Sequence, residues 1–288
     1  MKIITFILLV LFVGMPLSGY EIIGFSVEAR AISAHRFGPQ DTDTALVLIG
    51  GIHGLYEGNT VELMEEFVKY FRGNRPHVAV YIIENMNPDS FHVQTNLRND
   101  HPTGWVNGHR VGRAWTRFNA NYVDLNRNWD TVSWKNDVRY HAGDFRVGAG
   151  GTAPMSEPEV RYVGLFLQEK NEQYDTMLVV NYHSYAFIQT TMGMAQPSYT
   201  GHWQNPEVNA FADRFALLYA RTAGNYEYLQ KWTRYEVPGE FLHWAGDNGI
   251  AAIDIELPNE NAVHVRNSWG DTHYNQSLKA VLAILNNF

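Results

Sequence analysis

Ala45-Leu46-Val47-Leu48-Ile49-Gly50 runs directly into Gly51-Ile52-His53-Gly54-Leu55-Tyr56-Glu57-Gly58-Asn59-Thr60, and the architecture can be read outward from this stretch. An apolar run so short, closed by glycines, suits a buried strand rather than a helix. From Asn59 to Phe71 the period changes, and Val61, Met64, Phe67, Val68 and Phe71 fall on one helical face. Asn59 is the expected cap, with Glu62 three residues on. His77–Ile83 is β-rich again. Ser156-Glu157-Pro158-Glu159 reads as a capping box with proline in the first turn, opening a helix to about Glu172. A strand over Tyr174–Tyr182, a helix over Pro206–Arg221, a strand over Ala251–Leu257 and a helix over His273–Leu285 follow. Strands alternating with helices predict one α/β domain, a three-layer α/β/α sandwich around a mixed, largely parallel sheet. In such sheets chemistry collects at the carboxyl ends of the strands. The irregular span from Asn85 to Met155 exceeds an ordinary connection, which points to function.

The composition permits this and narrows the chemistry. A chain of 288 residues, 45% hydrophobic and 18% charged, can bury a large core, so disorder is excluded as the main state. The formal charge is −8 with no lysine-rich run, which tells against nucleic acid or an anionic membrane as partner. The absence of cysteine excludes disulfides, thiolate zinc sites, iron–sulfur clusters and cysteine nucleophiles. Any metal must be held by Asp, Glu or the 12 His. Residues 1–19 stand apart: Lys2, a mostly apolar stretch from Ile3 to Leu17 broken at Pro16, then Ser18-Gly19. This pattern predicts a cleaved secretory signal peptide, hence a secreted or periplasmic protein with no stable membrane anchor after cleavage. No linker, charge block or repeat divides residues 20–288.

Four places carry candidate chemistry. His53 and Glu57 follow the first buried strand among glycines; alone the pair is weak, but its placement lets both side chains converge and offer two zinc ligands. His183 leaves the apolar strand ending Val179-Val180-Asn181-Tyr182, where a core histidine is the plain alternative. A catalytic zinc takes three protein ligands and keeps one position open, and His53, Glu57 and His183 would supply them. Glu256, in Ile253-Asp254-Ile255-Glu256-Leu257-Pro258, is either a solvent-facing carboxylate or, facing the metal, a general base toward zinc-bound water. Finally, Arg98, Arg110, Arg113, Arg117 and Arg127 face only Asp100 and Asp124 over the span 98–127 of an acidic chain. Guanidinium groups bind carboxylates bidentately, so the natural partner is a substrate with a free carboxylate. The asparagines of 119–128 also predict Asx turns.

Taken in order, Gly51-Ile52-His53 with Glu57, Asn119-Ala120-Asn121-Tyr122-Val123-Asp124-Leu125-Asn126-Arg127-Asn128, Ser156-Glu157-Pro158-Glu159, His183 and Glu256-Leu257-Pro258 resemble the zinc metallocarboxypeptidases. Ile23–Arg30 and Tyr235-Glu236-Val237-Pro238-Gly239 are similar to the bacterial branch that includes murein peptide amidases. The resemblance spans roughly residues 21–286. It implies one zinc on His53, Glu57 and His183, with Glu256 as general base and acid. Arg117 would polarise the scissile carbonyl, with Arg113 as competitor; Asn126 and Arg127 would grip the terminal carboxylate, and Tyr235 would close over the substrate. It implies a C-terminal exopeptidase acting on peptides, including cell-wall peptides. It also leads us to expect a catalytic domain over 20–288 with neither a pro-domain nor an appended β-domain. A zinc deacylase or amidase of N-acyl amino acids and a non-catalytic peptide binder remain alternatives at this point.

One departure stands out. The family spaces its first two ligands as His-x-x-Glu, whereas here Tyr56 holds that position and the carboxylate comes one residue later. The turn must then absorb an extra residue. The pocket floor is expected near Glu240-Phe241-Leu242-His243, where Phe241 and Leu242 favour an apolar released residue and Glu240 and His243 a charged one such as diaminopimelate.

Overall fold

The computed structural model describes residues 18–94, 104–106, 109–111, 116–139, 145–184, 193–197, 205–224, 226–230, 236–257 and 270–288. Most of the expected signal peptide, Arg113 and Tyr235 lie outside them.

In chain order the elements are β1 (Ser18–Phe25), β2 (Ala31–Phe37), β3 (Thr44–Ile49), α1 (Gly58–Gly73), β4 (Ala79–Ile83) and α2 (Pro88–Gln94). Two short hairpins follow, β5 (Gly104–Val106) with β6 (His109–Val111) and β7 (Val138–Arg139) with β8 (Phe145–Arg146). Then come α3 (Pro158–Gln173), β9 (Thr176–Ser184), β10 (Gly193–Pro197), α4 (Pro206–Ala223), β11 (Tyr226–Tyr228), α5 (Phe241–Asp247), β12 (Ala252–Leu257) and α6 (Gly270–Leu285).

One eight-stranded sheet has the order β1-β2-β4-β3-β9-β12-β10-β11. Its middle, β4-β3-β9-β12, is parallel, while β1-β2, β2-β4 and β12-β10 are antiparallel. The sheet is therefore mixed, as expected. Alternation sorts each central strand between two cores. Leu46, Leu48, Val180, Tyr182, Ile253 and Ile255 pack with Phe67 of α1, Phe215 of α4 and Ile284 of α6. Ala45, Val47, Ile49 and Val179 pack on the other face with Val163 and Leu167 of α3 and Trp244 of α5. Helices thus cover both faces, giving the three-layer sandwich.

Several expectations need correction. Asn59 does not cap α1; Glu57 stands at the cap without a side-chain bond, and Asn59 Nδ2 donates to Ser184 Oγ at 3.0 Å. The Ser156–Glu159 capping box is likewise not made. Glu157 occupies the cap position and its carboxylate instead accepts from Asn119 and Asn121, at 2.7 and 2.9 Å. In both places a tertiary partner replaces the local one. The fourth strand starts at Ala79 rather than His77, and the strand expected over Tyr174–Tyr182 is shifted to Thr176–Ser184. The span from Asn85 to Met155 is not wholly irregular, since it holds α2 and the two short hairpins.

Candidate metal centre

β3, β9 and β12 run parallel, so their carboxyl ends share one edge of the sheet. Beyond β3 the chain turns through Gly54 at φ +54°, where a Cβ would lie 2.1 Å from Ser90 Oγ and 3.0 Å from the Thr116 carbonyl oxygen. Glycine therefore lets this turn rest against its neighbours. Gly54–Glu57 form one 3-10 turn, which takes up the extra residue and returns Glu57 to His53.

His53 Nδ1 lies 2.7 Å from Glu57 Oε1, and His183 Nδ1 lies 3.2 Å from Glu57 Oε2. The two Nδ1 atoms are 3.3 Å apart, and all three residues are buried. A tetrahedral zinc with bonds of about 2.0–2.1 Å holds its donors roughly 3.3 Å apart, so two imidazoles and a carboxylate at these spacings fit that ion. Among the described residues this is the one group of three metal-binding side chains that converges in this way.

The far nitrogens of both rings meet carboxylates or amides. His53 Nε2 lies 3.1 Å from Asp124 Oδ1, and Arg117 Nε donates to Asp124 Oδ2 at 2.8 Å. His183 Nε2 lies 2.8 Å from Asn181 Nδ2 and 3.7 Å from Asp254 Oδ2. Burial opposes ionisation of Glu57, but His53 and His183 outweigh it and hold the carboxyl below its usual range. Asp124 is likewise held low by Arg117, His53 and Arg127 against its burial. His183 is raised to about 9 because Asp254 and Glu57 outweigh its burial. The cluster thus attracts positive charge.

Glu256 pairs in register with His183 across β12 and β9, as Asp254 does with Asn181. Ile253, Ile255 and Leu257 point into the opposite core, so the two acids lie on the face of the sheet that carries His183, Asp254 buried and Glu256 half-buried. Glu256 Oε2 is buried and makes no hydrogen bond among the described residues. Burial, with Glu57 and Asp254 nearby and His183 opposing, pushes Glu256 up to about 8.

Arg117 NH1 lies 3.6 Å from Glu57 Oε1, and its guanidinium sits over the Tyr56 ring. Asn126 Oδ1 accepts from Phe241 N at 2.8 Å, tying the Asn-Arg pair to α5. Arg127 is buried beside it and acts electrostatically on both Asp124 and Glu240. Phe241 and Leu242, expected near a pocket floor, are buried and pack with Trp129 and Trp244. Asp124, Asn181 and Asp254 were not singled out from sequence; the alternation of Asp254 with Glu256 was the available signal.

A buried two-histidine, one-carboxylate set at the strand ends of an α/β/α sandwich defines a metal-binding protein whose site has the donor set of catalytic zinc. The zinc carboxypeptidase family model matches residues 17–269, and the chain belongs to that family. No curated protein sequence matches it. Bovine thrombin-activatable fibrinolysis inhibitor, solved with tick carboxypeptidase inhibitor, is 18% identical, with 94% of this chain and 90% of that chain covered at a TM-score of 0.66. Carboxypeptidase A from Helicoverpa armigera is 16% identical, covering 94% and 69% at 0.64. Murein-tripeptide amidase MpaA from Escherichia coli O157 is 21% identical, covering 93% and 91% at 0.53. At these identities the likeness is one of fold. The protein is a zinc metallopeptidase of the carboxypeptidase family, and His53, Glu57 and His183 are its candidate metal site. No helix among the described residues is long and apolar enough to cross a membrane.

Proposed function

We propose that this protein is an exported carboxypeptidase that hydrolyses the C-terminal amide bond of peptides, cell-wall peptides among them. The observation that carries the reading is the registered pairing of Glu256 with His183, which sets an uncommitted carboxylate oxygen beside the metal ligands. Zinc, held by His53, Glu57 and His183, would supply Lewis acidity and make water a nucleophile near neutral pH.

The remaining steps belong to the chain's own side chains. Glu256 accepts a proton from the attacking water and returns it to the leaving amine. Arg117 stands where negative charge develops on the scissile oxygen; losing one such donor costs on the order of 10²–10³ in turnover. Arg127 and the Asn126 amide hold the free carboxylate, and Tyr235 covers the substrate. With the carboxylate fixed, the bond presented to Glu256 is the last one, which makes the activity exopeptidic. Wall peptides are supported by the fold shared with the murein-tripeptide amidase and by the signal-like residues 1–19.

Glu256→Gln is the test. The variant is expected to hold one zinc per chain, as the wild type does, and to release C-terminal residues at least about 10³-fold more slowly. Stepwise release by the variant at the wild-type rate would remove Glu256 from its role. N-terminal sequencing of the mature protein checks export.

A further inference from the structure

Asp254 and Asn181 have no part in the reaction above, yet both are buried beside His183. The register of β9 and β12 sets them there. Asn181 lies opposite Asp254 as His183 lies opposite Glu256, and alternation puts all four on one face of the sheet. Asn181 Nδ2 donates to Asp254 Oδ1 at 2.8 Å, and the same nitrogen lies 2.8 Å from His183 Nε2. Asp254 Oδ2 lies 3.7 Å from His183 Nε2.

His183 turns Nδ1 toward His53 Nδ1 and Glu57 Oε2, at 3.3 and 3.2 Å, so Nδ1 is its ligand atom. A neutral imidazole carries one proton, and giving Nδ1 to a metal leaves that proton on Nε2. The buried Nε2–H then needs an acceptor. Asn181 and Asp254 are the two groups near it. The atom that Asn181 presents is a donor, and two N–H groups cannot bond each other. Turning the amide over would offer Oδ1 to Nε2, but it would also set that oxygen against Asp254 Oδ1, where Nδ2 now sits at 2.8 Å. An ionised carboxylate only accepts, so Asp254 fixes the amide with Nδ2 toward itself. The carboxylate of Asp254 is therefore left as the acceptor for the ring. Asp124 holds the matching place behind His53, 3.1 Å from its Nε2.

We infer that Asp254 is a positioning residue of the metal site: its carboxylate takes the Nε2 proton of His183, and Asn181 holds that carboxylate in place. Each histidine ligand is then backed by its own acid. A carboxylate behind the ring fixes its rotation and makes the ligand nitrogen more basic. The inference rests on the metal set and not on the peptide reading, and its test needs no peptide.

Zinc affinity, measured by competition with a chelator at neutral pH, is the first readout. Asp254→Asn is expected to weaken it about 10- to 100-fold. Exchanging the two groups, Asn181→Asp together with Asp254→Asn, returns a carboxylate to Nε2 and an amide to hold it. This double variant is expected to recover the affinity to within about threefold of the wild type. A pair that served packing alone would lose more from two changes than from one. Unchanged affinity in Asp254→Asn, or a double variant that binds no tighter than the single one, overturns the inference. A crystal structure of the zinc-loaded wild type decides even where a variant fails to fold. It is expected to show an Asp254 oxygen within about 3.0 Å of His183 Nε2, and a carboxylate still beyond about 3.5 Å overturns the assignment.

Discussion

Asp124 is fully buried, yet both of its oxygens are engaged: Oδ1 with His53 Nε2 and Asn126 N, Oδ2 with Arg117 Nε. One carboxylate thus turns the His53 ring so that Nδ1 faces Glu57, and fixes the arginine nearest the metal ligands. Asp124→Asn keeps the size but removes the charge. It is expected to weaken zinc binding about 10- to 100-fold, the usual cost of losing a carboxylate behind a metal-bound histidine. Competition with a chelator measures this, and an unchanged zinc affinity would show that Asp124 serves Arg117 alone. The three ligands were legible in the sequence because each follows or ends an apolar run with glycine or polar neighbours. Asp124 was not, because nothing along a chain says which carboxylate will meet the far nitrogen of an imidazole. The extra residue before Glu57 was legible as a difficulty, and its solution, a tight turn resting on Ser90 and Thr116, depends on contacts from another segment.

The elements whose cores face both ways were the easiest to anticipate. β3 and β12 were placed within a residue or so, since a short apolar run between turn signals has few other readings. α5 was missed for a related reason. It has seven residues, about two turns, too few for a helical period to stand out, although Phe241, Leu242, Trp244 and Ala245 are buried and His243 and Asp247 face outward. The β1–β2 hairpin was seen only as a family-like segment, because Ile22, Ile23 and Phe25 alternate poorly and Tyr20, Ile22 and Phe25 are exposed. What ties α5 to the site is a contact between backbones. Gly239 has φ +65°, and a Cβ there would lie 2.3 Å from the Arg127 carbonyl oxygen. Gly239→Ala must therefore strain the turn and part Arg127 from α5. A loss of about 1–3 kcal/mol in stability is expected. Because Asn126 and Arg127 move with the strain, KM for peptides should rise more than kcat falls. Urea unfolding and steady-state kinetics read the two effects, and a stability loss with KM unchanged would separate α5 from substrate binding.

At the scale of the whole molecule, the class of fold followed from where apolar runs and helical periods alternate, and the meeting of distant segments did not. A buried polar network shows why. Glu159, at the start of α3, accepts from Val27 N in the β1–β2 turn at 3.2 Å and from Asn119 Nδ2 in the arginine-rich segment at 3.2 Å. Asp89, buried at the start of α2, accepts from Ser26 Oγ at 2.6 Å and from Glu28 N at 3.0 Å. Three parts of the chain far apart in sequence are thus joined through two acids, of which Glu159 alone was read from sequence, as part of a capping box. Burial pushes Glu159 up to about 7, with bonds from Val27 and Asn119 opposing and the charge of Asp89 adding to the rise. An unfolded carboxyl titrates near 4.5, so between that pH and about 7 the folded chain binds more protons than the unfolded one. Stability from this group is complete below about 4.5 and is lost as pH rises through about 7, by at most roughly 3 kcal/mol. Glu159→Gln removes the titration while keeping an acceptor for Val27. The fall in unfolding free energy between pH 5 and pH 8, measured in urea at saturating zinc, should shrink by about 1–3 kcal/mol in the variant. An identical fall in both proteins would mean that Glu159 is already ionised in the folded state, paired with a cation the network does not display.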